Sequence, residues 1–494
     1  LTTVFGALRL TTKFQKEKFS MSTTDKYKKV SERDIESLKK MVPANSIHVD
    51  EETLHAHSKD ETEDISIAPE VVVEPHSTAE VSEVVKYCNE KSIPLTVRGA
   101  GTGLSGGAIP AFGGVVLSMR RMNQILEIDE NNFVGRVQPG VITQHFQEAV
   151  KEKGLFYPPD PASKGSCFIG GNIAENSGGP KAVKYGVVKD YILNLEVVLA
   201  SGEVIHTGSN TLKNATGYNI TQLIVGSEGT LGVVTEIIIK LIPHPKHTLL
   251  LLAPFRKLTE AAEAVPAIMK TGITPSGLEF MERAAIEAAS RVLSEEERLA
   301  IDDDIEAHLL IELDGNRESV LMEDAETVYE TLSDFDCGEI LLAETEAQKD
   351  SLWRMRRVVG EAVKRDSIYK EEDTVVPRFA FPQLLKVVKE IGSAHGFESV
   401  CYGHAGDGNL HVNILKGNMT PKQWNDELPV AIRELFRAVK GMGGTISGEH
   451  GIGWVQKEYL DIVFTPVEIE LMKSIKKVFD PRGILNPGKI FPSS

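Results

Sequence analysis

Ile93-Pro94-Leu95-Thr96-Val97-Arg98-Gly99-Ala100-Gly101-Thr102-Gly103-Leu104-Ser105-Gly106-Gly107 is the stretch on which the fold turns. Gly101 to Gly106 matches GxGxxG letter for letter. A strand-like run precedes it, and Glu127 and Asp129 lie about twenty residues on, as the dinucleotide fingerprint requires. That fingerprint also needs a helix opening at the loop, whose N-terminus holds the pyrophosphate. Here Gly107, Pro110, Gly113 and Gly114 follow, then the β-like run Val115–Met119. The nicotinamide Rossmann reading therefore fails. Successive backbone N–H groups in a Gly-rich turn can still form an anion-binding nest, and Arg98 is placed to add charge.

Outward from this loop, β-rich runs alternate with Gly-rich turns from Val71 to about Pro243. Strands are expected at Pro94–Val97, Gly114–Ser118, Asn194–Ala200 and Val233–Ile242. Further Gly/Ser/Asn loops follow the first. Pro158-Pro159-Asp160-Pro161 leads into Ser166, and then come Gly170-Gly171-Asn172, Asn176-Ser177-Gly178-Gly179 and Gly226-Ser227-Glu228-Gly229-Thr230-Leu231-Gly232. Several such loops in one domain suit a long cofactor laid across a sheet, because glycine lets backbone approach a ligand. Past Pro245, strand-like runs (Leu249–Ala253, Leu309–Leu313, Glu339–Ala343) alternate with helical ones (Thr259–Lys270, Ala284–Leu293, Glu318–Leu332, Ala347–Lys364, Pro382–His395). The expected division is 1–20, 21–66 as a polar helical lead-in, 67–245 and 246–494. Residues 1–20 weakly resemble a transit peptide and read better as sequence upstream of a start at Met21.

The 494 residues carry a net charge of −17, with 41% hydrophobic and 25% charged residues. Such an acidic chain repels a phosphate backbone, so nucleic-acid binding is excluded. Cys88, Cys167, Cys337 and Cys401 lie far apart with no CxxC pair, which argues against an iron–sulfur cluster or a disulfide framework and fits a reducing, cytoplasmic setting. No apolar run is long enough for a transmembrane helix. Peripheral membrane contact stays open, without a basic amphipathic helix to support it.

His404 and His411 bracket Ala405-Gly406-Asp407-Gly408-Asn409-Leu410. Strands are expected at Ser399–Tyr402 and His411–Leu415, and Gly-Asp-Gly-Asn is hairpin chemistry. The hairpin would put the two histidines on neighbouring strands, about 5 Å apart at Cβ, close enough to share a metal ion. Ser447-Gly448-Glu449-His450-Gly451 adds a carboxylate and an imidazole in a tight loop. Spacing alone leaves a plain hydrogen-bonded histidine pair open. It also leaves Arg354, Arg356 and Arg357 as either carboxylate binders or a solvated helix face.

The glycine loops, in this order, resemble the FAD-binding domain of the vanillyl-alcohol-oxidase (PCMH-type) superfamily. Gly403 to His411, Ser447 to Gly451 and Phe479-Asp480-Pro481-Arg482-Gly483-Ile484-Leu485-Asn486-Pro487-Gly488-Lys489 are similar to signatures of the FAD-linked 2-hydroxy-acid dehydrogenases, of the glycolate oxidase and D-lactate dehydrogenase type. The resemblance implies an α+β chain, a PCMH-type FAD-binding domain followed by a substrate domain. It implies FAD held by Arg98, Gly99, Ala100, Gly101, Thr102, Gly103, Ser105 and Gly106, by Ser166, Gly170, Gly171, Asn172, Asn176 and Gly178, by Gly226, Glu228, Gly229, Gly232 and Val233, and by Asn486. Thr102 stands where some relatives carry the His that bonds flavin covalently, so non-covalent FAD is expected. A thioether at Cys167 stays open.

The family further implies a divalent metal (Zn, Mn or Fe) on His404, His411 and Glu449, with His450 as base and Arg356 on the substrate carboxylate. Two positions depart from the hydroxyglutarate branch: Gly360 replaces a Thr, and Glu371 a Lys, although Lys370 is adjacent. A carboxylate at 371 would repel a second substrate carboxylate. The expected reaction is oxidation of D-lactate or glycolate, with D-2-hydroxyglutarate oxidation or a flavin-carrying electron-transfer subunit as alternatives. Without a cluster of its own, the chain would need an external acceptor: a quinone, a cytochrome, an electron-transfer flavoprotein or an iron–sulfur subunit.

Overall fold

The computed structural model describes residues 26–63, 65–299 and 301–492. The reading of residues 1–20 lies outside them. Among its described residues the lead-in is helical in short pieces, the α-helices Glu32–Leu38 and Glu51–Ala56 and a 3-10 turn at Ala44–Ser46.

The strands up to residue 243 form three sheets. Ile47–His48, Val71–Val73, Val115–Ser118 and Leu95–Arg98 make a four-stranded sheet in that order, its last three strands parallel. Ile125–Asp129, Val134–Val137, Val233–Lys240, Ile192–Val198 and Val204–His206 make a five-stranded antiparallel sheet in that order. Leu155–Phe156 and Ile242–Pro243 pair as a third. The GxGxxG stretch turns directly from Leu95–Arg98 towards Val115–Ser118, with no helix between them. One glycine run departs from expectation: Gly170, Gly171 and Asn172 lie in the helix Ile169–Glu175 rather than in a loop. Ile169 and Ile173 sit one turn apart there and are both fully buried, so their packing overrides the poor helix propensity of the glycine pair.

From His247 onward, one seven-stranded sheet is ordered Leu341–Leu342, His247–Phe255, Ala307–Gly315, Gly277–Glu282, Glu398–Gly403, Asn409–Leu415, Tyr369–Val375. Both faces are covered. Leu251, Phe255, Phe280, Leu309 and Ile311 face the helices Leu258–Lys270, Glu318–Leu332, Phe381–His395 and Leu428–Gly441. Leu250, Leu252, Met281, Leu310 and Tyr402 face Arg283–Val292 and Glu346–Asp366. Period-two alternation with two buried faces explains why these strands read as unbroken apolar runs. The five expected helices stand within two residues of their predicted ends, whereas the run at Glu339–Ala343 shrinks to the two-residue strand Leu341–Leu342. Among the described residues no helix is long and apolar enough to cross a membrane.

Candidate active site

The hairpin forms, with its strand register shifted from expectation. The second strand runs Asn409–Leu415, and the residue directly across from His411 is Tyr402. His404 lies beyond the strand end, in the turn. Its ring still approaches that of His411 edge-on, centroids 5.3 Å apart. On its other side His411 pairs in register with Asp373 of Tyr369–Val375. Thr445 and Ser447 bridge to that same strand. The next residues then turn over Asp373, whose Oδ2 accepts the backbone N–H groups of Gly448, Glu449 and His450 at 2.8, 2.8 and 2.9 Å.

These placements bring the predicted groups together. His404 Nε2 lies 3.2 Å and His411 Nε2 3.6 Å from the same Glu449 oxygen. The rings of His411 and His450 stack, 5.2 Å apart and 13° from parallel. Nδ1 of His411 is buried without a hydrogen bond, 3.7 Å from Glu371 and 3.6 Å from Asp373. Two ligand triplets have donor atoms within 4.8 Å of one another: His404, His411 and Glu449, and Glu371, His411 and His450. Imidazoles ringed by carboxylates have the donor chemistry of a divalent-cation site.

Burial opposes charge throughout the cluster. It helps push His411 down to about 3, alongside the neighbouring His450 and His404. At His404 burial is overcome by Glu279 and Glu449, which hold the imidazole well above its ordinary range. At His450 burial is overcome by Asp373, Glu371 and Glu449, which raise it. Burial also resists the Glu449 charge, but His404, His411 and His450 keep its carboxyl below the usual range. At Glu371 burial prevails over the opposing charges of His450 and Lys364, and its carboxyl is raised.

The helix Glu346–Asp366 lays one stripe over this cluster: Arg356, Arg357, Gly360, Glu361 and Lys364 all line the same cavity. Only Arg354 of the arginine trio faces solvent, paired with Glu297. Arg356 is 5% exposed, lies over the Tyr402 ring and pairs with Glu279 at 2.7 Å, and its Nε has no hydrogen-bond partner.

The cavity measures about 610 Å³ and is continuous with the glycine loops. Gly99, Ala100, Gly101, Thr102, Gly103, Ser166, Gly170, Gly171, Asn172, Glu228, Gly229 and Gly232 line it together with His404, His411, Glu449, His450 and Arg356. A Cβ on Gly171 would meet nothing within 4 Å, and one on Gly99 would sit 3.5 Å from Gly171 Cα, so bare backbone frames the space. Arg98 packs its guanidinium against Gly101 with Nη1 buried and unpartnered. These features fit an anionic cofactor laid along the loops. Cys167 also lines the cavity, but its Sγ lies 3.3 Å from Thr143 Oγ1 and burial raises its thiol pKa, which disfavours a reactive thiolate.

Several residues expected at the cofactor do not line this cavity. Val233 is fully buried in the core with Val198 and Ala200, and strand alternation gives the cavity Val234 instead. Ser105 and Gly106 lie behind the first loop. The Ser105 carbonyl accepts from Trp454 N at 2.8 Å, and Gly106 carbonyl oxygen accepts from Lys489 Nζ at 2.6 Å. Asn176 ends its helix at φ 56° and accepts from Lys189 N. Gly178 packs against Glu449, and Gly226 donates to Ile173 O. Asn486 donates to the carbonyls of Gly107 and Glu228, so it braces two loops from outside the cavity. Sequence reasoning missed Glu279 and the gripping role of Asp373. The available signal for Glu279 was a lone acid in Gly277-Leu278-Glu279-Phe280-Met281.

Comparison with known proteins identifies both parts of the chain. Residues 69–208 match the family described as FAD binding domain, and residues 244–490 match FAD linked oxidases, C-terminal domain. The chain is 41% identical over 436 residues to glycolate oxidase subunit GlcD of Bacillus subtilis, covering 88% of this chain and 92% of that one. It is 38% identical to D-lactate dehydrogenase of Anaerostipes hadrus, covering 94% and 98%. Its fold follows p-cresol methylhydroxylase with a TM-score of 0.75 at 19% identity, over 92% of this chain and 96% of that one.

Proposed function

The chain belongs to the FAD-linked oxidase family, and on that premise we propose that it oxidises a small D-2-hydroxy acid, D-lactate or glycolate, to the 2-oxo acid. The observation that carries this reading is the shared cavity: the glycine loops and the His404, His411, Glu449, His450 and Arg356 cluster open onto one space. Bound FAD, held non-covalently with Thr102 at the covalent position, supplies the hydride acceptor. His404, His411 and Glu449 are the residues to hold a divalent ion (Zn, Mn or Fe), which supplies Lewis acidity at the substrate hydroxyl.

The chain's own groups do the rest. Arg356 is buried with its Nε donor unpartnered, which suits a charge-assisted hydrogen bond to the substrate carboxylate. His450 turns Nδ1 towards Asp373 at 3.9 Å, so Nε2 is the atom to take the hydroxyl proton. Glu371 lines the cavity and disfavours a second carboxylate there. A D-2-hydroxyglutarate reading draws on a different observation, since Lys364 and Arg357 line the same cavity. Electrons leave to an external acceptor.

An anaerobic visible spectrum of the holoprotein tests this. Bleaching of the oxidised flavin band by D-lactate or glycolate is the expected result. Bleaching by D-2-hydroxyglutarate alone would move the assignment to the dicarboxylate. A band that persists with all three would remove the small hydroxy-acid reading.

A further inference from the structure

Glu228 belongs to the third glycine loop, where the family motif makes it a cofactor residue. Its carboxylate is engaged elsewhere. One oxygen accepts the backbone N–H of Ile452 at 2.8 Å and the other that of Gly453 at 2.7 Å. These amides lie two and three residues after His450. Asp373 grips the amides of Gly448, Glu449 and His450 from the other side. Five of the six amides from 448 to 453 are thus held by two carboxylates. Asp373 is on the same sheet as His411. Glu228 is on the segment that carries the cofactor loops.

Two details show that Glu228 is built for this grip. It is a non-glycine residue at φ 52°, a conformation disfavoured for any side chain. Both neighbours, Ser227 and Gly229, are residues a tight turn accepts readily, so the turn alone does not explain a glutamate there. Its main chain is also fixed at both ends: its N–H donates to Ala174 O at 2.8 Å, and its carbonyl accepts from Asn486 Nδ2 at 2.8 Å. Gly451 lies between the gripped amides at φ 78°, and a Cβ there would collide with Glu175 and stand 3.1 Å from Glu228. The 449–453 loop therefore rests on the cofactor-side carboxyls with no room for slippage.

We infer that Glu228 is a positioning residue, which fixes the loop bearing Glu449 and His450 at a set distance from the cofactor loops rather than binding the cofactor. The role rests on the proposed reaction, in which His450 must meet a substrate poised over the flavin. A misplacement of about 1 Å at such a group lowers a rate by about 100-fold.

The test compares Glu228→Gly and Glu228→Gln holoproteins with the parent. Glycine removes the carboxylate without a backbone penalty at positive φ. Glutamine keeps the shape and one acceptor oxygen, and guards against a folding defect in the first variant. Both are expected to retain FAD and to be reduced normally by dithionite. Flavin reduction by the hydroxy acid is expected to slow about 100-fold in Glu228→Gly and about 10-fold in Glu228→Gln, with KM nearly unchanged. Independently of any substrate, hydrogen–deuterium exchange at amides 448–453 is expected to accelerate in both variants. Loss of FAD from the variants would return Glu228 to cofactor binding and overturn the inference. So would exchange at 448–453 that matches the parent. If no hydroxy acid reduces the parent, the proposed reaction fails, and the exchange comparison alone still decides the role of Glu228.

Discussion

Glu279 accepts from His404 Nδ1 at 2.8 Å, and that contact leaves His404 Nε2 facing Glu449. The same carboxylate pairs with Arg356 at 2.7 Å. Glu279 is fully buried, so these two partners together offset the cost of burying its carboxylate. One side chain thus fixes the tautomer of a candidate metal ligand and the place of the candidate substrate-binding arginine. A carboxylate behind a ligating imidazole fixes ring orientation and raises ligand basicity.

Glu279→Gln tests this linkage. The amide cannot match both a protonated ring nitrogen and a guanidinium. Metal affinity, measured by chelator competition and metal analysis, is expected to fall about 10- to 100-fold, while the flavin spectrum is unchanged. Undiminished metal affinity in this variant would remove Glu279 from support of the metal ligands, and a fully active protein stripped of metal would return His404 and His411 to ordinary hydrogen-bonded residues.

His450→Ala removes the group stacked on His411 without touching the glycine loops. Hydroxy-acid reduction of the flavin is expected to fall about 100- to 10,000-fold, the usual range for losing a general base. FAD content and dithionite reduction are expected to stay normal. Flavin reduction at the parental rate would remove His450 from the chemistry.

What the sequence made legible follows from how local each feature is. The hairpin around Gly406-Asp407-Gly408-Asn409 and the loop at 447–451 carry their own turn chemistry, so His404, His411, Glu449 and His450 could be grouped from the residues that flank them. The Gly-rich first loop likewise excluded a helix from its own residues. Glu279 could not be found that way: it acts on His404 across 125 residues, through pairing of Gly277–Glu282 beside Glu398–Gly403. The helix at Gly170-Gly171 was hidden for a similar reason, since burial of Ile169 and Ile173 outweighs local propensity. The core-facing side chain of Val233 was hidden because a motif does not state which face of a strand each residue takes.

Gly171→Val separates cofactor space from fold. The residue lies in the helix Ile169–Glu175 and its added side chain would enter open cavity. Replacing glycine inside a helix removes backbone entropy from the unfolded chain, so the apoprotein is expected to keep its fold, with stability changed by no more than about 1 kcal/mol. FAD binding, followed by absorbance after gel filtration, is expected to be lost. Full FAD retention would move the cofactor away from the second glycine run.

His308 provides a pH test remote from the metal ligands. It lies on Ala307–Gly315, is 3% exposed, and its Nδ1 has no hydrogen-bond partner. Burial pushes its pKa from 6.5 to about 4. Between those values the unfolded chain binds more protons than the folded one, so stability is fully present above pH 6.5 and is lost progressively as pH falls to 4. The whole shift corresponds to roughly 3 kcal/mol, of which about 2 kcal/mol is already lost at pH 5. A His308→Leu variant lacks this titration. Denaturant midpoints of variant and parent, compared at pH 7 and pH 5, are expected to diverge in favour of the variant at the lower pH by that amount. Parallel losses in both proteins would show that His308 titrates normally in the fold, and that its strand face admits water.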